Sequence, residues 1–469
     1  IVQRFQDRFG PTVLCFHSGL GDAAREQAWL RARAGEARVL IGTRSAVFLP
    51  FARLGLIVVD EEHDVSYKQQ EGLRYSARDV ALYRASRNGI AIVLGSATPA
   101  LETLHNARSG RYAQVRLTRR VSEAAPPRVQ ILDVRGLPLQ QGLSAPLLQA
   151  VGRHLQAGGQ ALLFLNRRGY APVLLCHDCG WSAPCTQCDA HLTLHRGRAR
   201  LICHHCGAQA PVPAVCPSCS GRALHPVGQG TERIEEVLRR HFPGERVERL
   251  DSDRARRGQE LKGLFDEVHA GRVRLLVGTQ MLAKGHDFAG LSLVGIVSAD
   301  QALYGSDFRA IERMGALVTQ VAGRAGRAQI PGEVWLQTHE PEHPLLQTLL
   351  SQGYEALCDA LLAERRETGL PPFAHLALLR AEAREPDRAL AFLRHAQAAF
   401  PSTPGVTVYQ PIPSGMERRA GYVRAQLLLS CTSRARLHAP LAQWVRGLDA
   451  LPGARTVRWS LDVDPYDLF

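Results

Sequence analysis

Leu56-Ile57-Val58-Val59-Asp60-Glu61-Glu62-His63 is a run of four apolar residues that stops abruptly at three acids and a histidine. An unbroken apolar run of this length reads as a strand of a parallel sheet, and its polar stop as the turn at the carboxyl end. In open α/β sheets ligands gather at that end of the strands. Asp followed by Glu there suits magnesium–triphosphate chemistry, with Asp60 holding the metal through water and Glu61 orienting and deprotonating an attacking water. His63 completes a D-E-x-H pattern. Alone, the octapeptide is equally consistent with an acidic loop after a strand, so its surroundings decide.

Working outward, further strands are predicted at Thr12–Phe16, Arg38–Ile41 and Ala91–Leu94, alternating with helical stretches. This alternation predicts a parallel sheet with crossover helices. Gly95-Ser96-Ala97-Thr98-Pro99 follows the last of these strands, and its Ser96 and Thr98 hydroxyls are placed to bond the acidic motif and relay nucleotide state. Gly42-Thr43-Arg44 reads as a contact to a nucleic-acid backbone phosphate. Pro-containing sequence at about Thr118 to Ser144 reads as a connection. The βα alternation then resumes with Ala161–Leu165, Val247–Leu250, Arg274–Val277, Leu293–Val297 and Glu333–Gln337, predicting a second α/β lobe. In that lobe Thr279 is expected on a DNA phosphate and Asp287 on a ribose hydroxyl. Gln320-Val-Ala-Gly-Arg324-Ala-Gly-Arg327 sets two arginines three apart on one side of a helix, as fingers reaching towards a triphosphate; such fingers contribute roughly 10³–10⁵ in rate. A solvated basic helix face is the bland alternative for that octapeptide.

The second lobe is interrupted. Eight of the eleven cysteines form four C-x-x-C pairs, Cys176/Cys179, Cys185/Cys188, Cys203/Cys206 and Cys216/Cys219. Each pair points two thiolates at one ion, so four pairs imply two closed all-cysteine zinc sites. Spacing leaves three ways of combining the pairs. Redox disulfides and an iron–sulfur cluster are the competing readings, and ligand-like spacing with only Cys15, Cys358 and Cys431 left over points to zinc in a reducing cytoplasm. After the lobe, a helical stretch from about His343 to Thr368 precedes a β-α-β-β-α-β order, the split ferredoxin-like pattern.

Composition sets the outer bounds. A formal charge of +13 with a pI near 9.5 makes a polyanion the first partner to consider. No apolar run approaches a membrane span and no signal peptide opens the chain, so no membrane role is expected. The pattern G-x-x-x-x-G-K-[ST] is absent, and none of the three lysines (Lys68, Lys262, Lys284) follows a glycine. Ile1-Val-Gln-Arg-Phe reads like the middle of a helix. The expectation is therefore a chain that starts inside its first lobe, a fragment inactive by itself.

Taken in order, these motifs resemble the superfamily-2 helicases, and over essentially all 469 residues the PriA family of primosomal replication-restart helicases. The resemblance rests on the D-E-E-H box at 60–63, Ser66-Tyr-Lys-Gln-Gln-Glu-Gly-Leu-Arg-Tyr75, Gly95–Pro99, Phe164-Leu-Asn-Arg-Arg-Gly169, the eight cysteines, Gly278–Asp287 and Gln320–Arg327. It implies an ATP-dependent 3′-to-5′ DNA helicase that recognises stalled or abandoned forks and starts primosome assembly. Asp60, Glu61, His63, Arg324 and Arg327 would be catalytic, with Ser96, Thr98, Gln320 and Asp287 coupling to nucleotide. It implies nested zinc pairing, with Cys176, Cys179, Cys216 and Cys219 on one ion and Cys185, Cys188, Cys203 and Cys206 on the other. Magnesium with ATP would serve the motor.

The 67–75 segment resembles the family's aromatic-rich loop, so Tyr67 and Tyr75 are expected on bases, at roughly 1–3 kcal/mol each, and Lys68 and Arg74 on phosphates. Packing in a local core is the other reading of Tyr75, and Leu73 stands where the family often has tryptophan. DNA contacts are also expected at Thr43, Arg44 and Thr279. Arg418, Arg419 and Arg424 read either as a partner surface or as a solvated face. Implied partners are forked and single-stranded DNA, single-stranded-DNA-binding protein, primosome proteins and a helicase loader, for a monomer at the bacterial nucleoid.

The expected architecture is two RecA-like lobes with a zinc insertion and a ferredoxin-like C-terminal domain. Its parts are a truncated first lobe (1–117), linker and second-lobe start (118–171), cysteine module (172–226), rest of the second lobe (227–342) and C-terminal region (343–469). A non-catalytic zinc-containing fork-binding scaffold is the alternative function.

Overall fold

The computed structural model describes residues 2–117, 127–165, 173–187, 191–195, 200–203, 208–227, 231–250, 258–278, 290–297, 299–304, 307–323, 332–419 and 421–468. The chain forms two compact units, 1–104 and 105–469.

The first unit runs α1 (Val2–Phe9), β1 (Val13–Phe16), α2 (Asp22–Ala34), β2 (Val39–Gly42), β3 (Leu56–Asp60), α3 (Ala77–Asn88), β4 (Ala91–Gly95) and the start of α4 (Leu101–Arg108). β1 pairs with β2 and β3 with β4, both in parallel. The helices stop for local reasons: α2 and α3 end on Gly35 and Gly89 in the left-handed conformation, and Ser76 caps α3 by accepting from Asp79 N. The apolar run 56–59 forms its strand, but Leu56 and Val58 remain 54% and 61% exposed.

The second unit is built on a six-stranded, wholly parallel sheet. Its strands are β5 (Arg128–Asp133), β8 (Gln160–Phe164), β14 (Val247–Leu250), β15 (Leu275–Gly278), β16 (Leu291–Ile296) and β17 (Glu333–Thr338), in the order β14-β15-β8-β16-β17-β5. A short hairpin, β6 (Leu139–Gln140) and β7 (Leu143–Ser144), precedes α5 (Ala145–Gln156). β8, β15 and β16 are buried at every position, as the mainly apolar strands of a parallel sheet between helical layers should be, with Gln160 and Ser292 their buried polar residues. The crossovers include α5, α6 (Thr231–His241), α7 (Gly258–His269), α8 (Asp300–Tyr304) and α9 (Ala310–Ala322). Part of the stretch read as a connection is thus an edge strand, because Arg128–Asp133 pairs along β17.

The cysteine module is an antiparallel sheet of β9 (Val173–Cys176), β10 (Thr193–His195), β11 (Arg200–Ile202), β12 (Gln209–Pro211) and β13 (Leu224–Val227). Helices α10 (Pro344–Gln352) and α11 (Tyr354–Glu367) lead to the C-terminal domain. That domain contains β18 (His375–Ala383), α12 (Pro386–Ala398), β19 (Val406–Val408), β20 (Ile412–Arg419), β21 (Tyr422–Cys431), α13 (Arg434–Leu448) and β22 (Arg458–Val463). The antiparallel order β19-β21-β18-β22 is the expected ferredoxin-like arrangement, with β20 as an additional strand on β21. Phe392, Leu437, Leu441 and Trp444 of its two helices pack on Leu379, Leu427 and Leu429 of the sheet. Its tail returns to α9, where the Tyr466 ring lies 5.3 Å and 5.7 Å from the Arg309 and Arg313 guanidiniums.

Candidate motor motifs and metal centre

Parallel pairing of β3 with β4 puts Asp60 opposite Gly95, so the acidic and hydroxyl motifs leave the sheet side by side. Glu61 turns the chain at φ +48°, and its N–H donates to Asp60 Oδ1 at 3.0 Å. His63 Nδ1 lies 2.7 Å from Ser96 Oγ and 3.5 Å from Glu61 Oε2. Ser96 Oγ also accepts from Thr98 N at 2.9 Å, and Thr98 is fully buried. Asp60, Glu61, His63, Ser96 and Thr98 therefore form one contiguous cluster.

Glu62, given no role from sequence, is the structural pin of this cluster. It is 2% exposed and accepts from Arg78 Nη1 (3.1 Å), Ala100 N (2.8 Å) and Thr103 Oγ1 (2.8 Å). Burial raises its carboxyl above the ordinary range, against the pull of Arg78 and these hydrogen bonds. An acid whose partners lie 16, 38 and 41 residues away carries no local signature, so spacing could not reveal it.

The aromatic-rich segment packs against the same motifs. The Tyr67 hydroxyl donates to Asp60 O at 2.7 Å, and burial together with Asp64, Asp60, Glu61 and Glu62 pushes this phenol up to about 12. Arg44 Nη1 donates to Ser66 O (3.2 Å) and Lys68 O (3.3 Å), which pulls the loop onto the turn carrying exposed Thr43. The Tyr75 ring meets Phe48 edge-on at 4.7 Å, Arg74 is half-buried and Lys68 is buried. Leu73, by contrast, is 75% exposed. Gln320 lies half-buried near the end of α9. Thr279, Asp287, Arg324 and Arg327 lie outside the described residues.

The metal centre is assembled by β-pairing. Antiparallel β9 and β13 bring Cys176 opposite Leu224, just beyond the second knuckle. Both knuckles have the same backbone form: Gly180 N donates to Cys176 O, and Ser220 N to Cys216 O, at 2.9 Å each. The four sulfur atoms of Cys176, Cys179, Cys216 and Cys219 lie within 4.8 Å of one another, with Cys176–Cys219 and Cys179–Cys216 at 3.7 Å. A tetrahedron with Zn–S bonds of about 2.3 Å has edges of about 3.8 Å. Burial pushes the Cys176 thiol up to about 12. Burial also opposes ionisation of Cys216, yet N–H donors from Cys219 and Ser218 and the neighbouring thiols bring it down to about 7. Four thiolates this close need a cation among them, and the donor set suits zinc. This combination is the nested pairing. Cys185 is half-buried and Cys203 fully buried; Cys188 and Cys206 lie outside the described residues.

Four family models match successive parts of the chain: DEAD/DEAH box helicase (1–107), PriA DNA helicase Cys-rich region domain (185–211), helicase conserved C-terminal domain (221–329) and primosomal protein N C-terminal domain (366–466). The replication restart protein PriA of Treponema pallidum is 38% identical over 100% of this chain and 71% of its own length. The chain belongs to the PriA family.

The PriA of Haemophilus influenzae is 46% identical over the whole chain and 64% of its own length. For Bacillus subtilis PriA the values are 37%, 99% and 58%. The chain thus spans about three-fifths of these two relatives. PriA membership accounts for the helicase motifs and the zinc-suited cysteine region. Among the described residues no helix is long and apolar enough to cross a membrane.

Proposed function

We propose that the protein works as an ATP-dependent 3′-to-5′ DNA helicase that recognises stalled or abandoned replication forks and starts primosome assembly. The observation that carries this reading is the junction of β3 and β4, where Asp60, Glu61, His63 and Ser96 meet in hydrogen-bonding range. Asp60 would hold magnesium, Glu61 would orient the attacking water, and His63 would pass the state of that pair to Ser96 and Thr98. The bound metal, with ATP, supplies neutralisation of phosphate charge. Arg324 and Arg327 serve as fingers, and Gln320 and Asp287 as coupling groups. The G-x-x-x-x-G-K-[ST] pattern of a P-loop cradle is not among the 469 residues, and on this reading upstream sequence supplies it.

Thr43, Arg44 and Thr279 take DNA phosphates, Arg44 by giving up its two loop carbonyls. Tyr67 and Tyr75 stack on bases and Lys68 and Arg74 take phosphates once the loop is released. Two zinc ions are bound, the second by Cys185, Cys188, Cys203 and Cys206. Partners are forked and single-stranded DNA, single-stranded-DNA-binding protein, primosome proteins and a helicase loader, for a monomer working at the nucleoid in the cytoplasm.

A second reading is a non-catalytic zinc-containing fork-binding scaffold, in which the motor motifs serve only as a folded platform. ATP hydrolysis with and without forked DNA separates the two, measured on this chain and on a version carrying its upstream sequence. Fork-stimulated turnover in the extended form alone is the expected result. Absence of turnover in both, with fork binding retained, establishes the scaffold.

A further inference from the structure

The five-residue helix α8 is buried at every position and belongs to none of the motor motifs. Its first and last residues, Asp300 and Tyr304, are one turn apart on the same face. Each meets a histidine that leads into the cysteine module.

Asp300 Oδ1 accepts from Thr338 Oγ1 (2.5 Å) and His339 N (2.9 Å), and Oδ2 lies 2.7 Å from His339 Nδ1. His339 Nε2 in turn lies 2.9 Å from Nδ1 of His177, the residue after Cys176, and His177 Nε2 is 2.9 Å from Leu137 O. At the other end the Tyr304 ring packs edge-on against His191 at 4.7 Å, and His191 Nδ1 is 2.8 Å from Ser182 Oγ. Between these anchors Gly180, at φ +82°, lies so close to the lobe that a Cβ would fall 2.8 Å from both Glu340 Oε1 and His339 O. A finger joined to the lobe only through its chain ends would need neither the buried Asp300–His339 pair nor this approach.

We infer that α8 is a docking platform that makes metal retention by the cysteine module and the rigidity of the second lobe a single property. Asp300, acting through His339 and His177, steadies the Cys176–Cys179 knuckle; Tyr304 steadies the ribbon bearing His191. Because α8 follows β16 and His339 follows β17, both anchors stand at the carboxyl ends of the parallel strands. The module then travels with the lobe. Coupling of this kind is reciprocal: whatever α8 contributes to holding the metal, the metal contributes to ordering α8. The inference rests on zinc at the Cys176–Cys219 site and not on helicase activity.

The test uses the full zinc-loaded chain, a chromogenic chelator and hydrogen exchange. Asp300→Ala and His339→Ala are expected to release one zinc about tenfold faster, the lower end of what outer partners of metal ligands contribute. Tyr304→Ala is expected to speed that release too, while Tyr304→Phe, which keeps the ring on His191 and loses only the hydroxyl's bond to Glu340, gives a smaller increase. In the unsubstituted chain, stripping zinc is expected to raise amide exchange at Gln301–Tyr304 and leave β18 unaffected. Release at the unsubstituted rate from all three alanine variants overturns the inference. Unchanged exchange in α8 after stripping does so as well, even if the variants fail to fold. An unsubstituted chain that binds no zinc would overturn the metal reading beneath it.

Discussion

Tyr67 carries two possible duties in one side chain, a ring that can stack and a hydroxyl bonded to the backbone of Asp60. Substitution separates them. Tyr67→Phe keeps the ring and removes a hydrogen bond worth about 1 kcal/mol, so in the ATP-competent protein it is expected to lower DNA stimulation of hydrolysis several-fold with DNA affinity intact. Titrating ATPase rate against single-stranded DNA checks this; a Phe variant that behaves like the original while Tyr67→Ala loses affinity would leave stacking as the duty. Arg327→Ala should reduce turnover by about 10³ or more while sparing fork binding, and turnover at the original rate would remove Arg327 from the catalytic set. Asp60, Glu61, His63 and Ser96 were legible because they sit at strand ends in short, ordered motifs. Glu62 and the Tyr67 hydroxyl were not, because their partners are set by folding.

Elements are tied together by the same buried groups. Glu62 joins the end of β3 to Arg78 of α3 and to Ala100 and Thr103 at the start of α4. Glu62→Ala leaves Arg78 with Asp79 but takes the acceptor from Ala100 N and Thr103 Oγ1, and is expected to cost about 1–3 kcal/mol, read as a lower urea midpoint for the first unit. The knuckles behave likewise, since β9 and β13 hold them in register. The chain is expected to bind about two zinc ions at four thiolates each, and Cys176→Ser to leave about one. Atomic absorption decides, and iron in place of zinc would overturn the ligand assignment. Spacing made both knuckles obvious and the family resemblance implied the pairing of first with last; the antiparallel register of β9 and β13 brings that pair together.

Across the whole molecule, acid should loosen the second unit before its carboxylates protonate. Burial lowers His343 and His375 below the ordinary imidazole value of about 6.5. Both prefer to be neutral when folded, so their contribution is fully present above about pH 6.5 and is lost as pH falls through their folded values. His343 adds a specific cause: its Nδ1 accepts from Leu345 N at 3.3 Å to cap α10, and a protonated ring cannot accept. The urea midpoint should therefore fall between pH 7 and 5.5, and His343→Asn, which keeps a capping acceptor, should flatten that slope. An equal slope in the variant would assign the loss elsewhere.

Local pattern alone determined the strand–helix alternation, the motor motifs, the knuckles and the ferredoxin-like order, because periodicity, turn chemistry and ligand spacing act over a few residues. It could not determine which apolar runs are buried. Leu56–Val59 and Leu275–Val277 read alike, yet the first leaves two side chains more than half exposed and the second is wholly enclosed. Nor could it show that Asp300, His339 and His177, more than a hundred residues apart in the chain at their widest, form one contact line. Burial and long-range partnership depend on which surfaces meet, and only the tertiary structure brings those surfaces together.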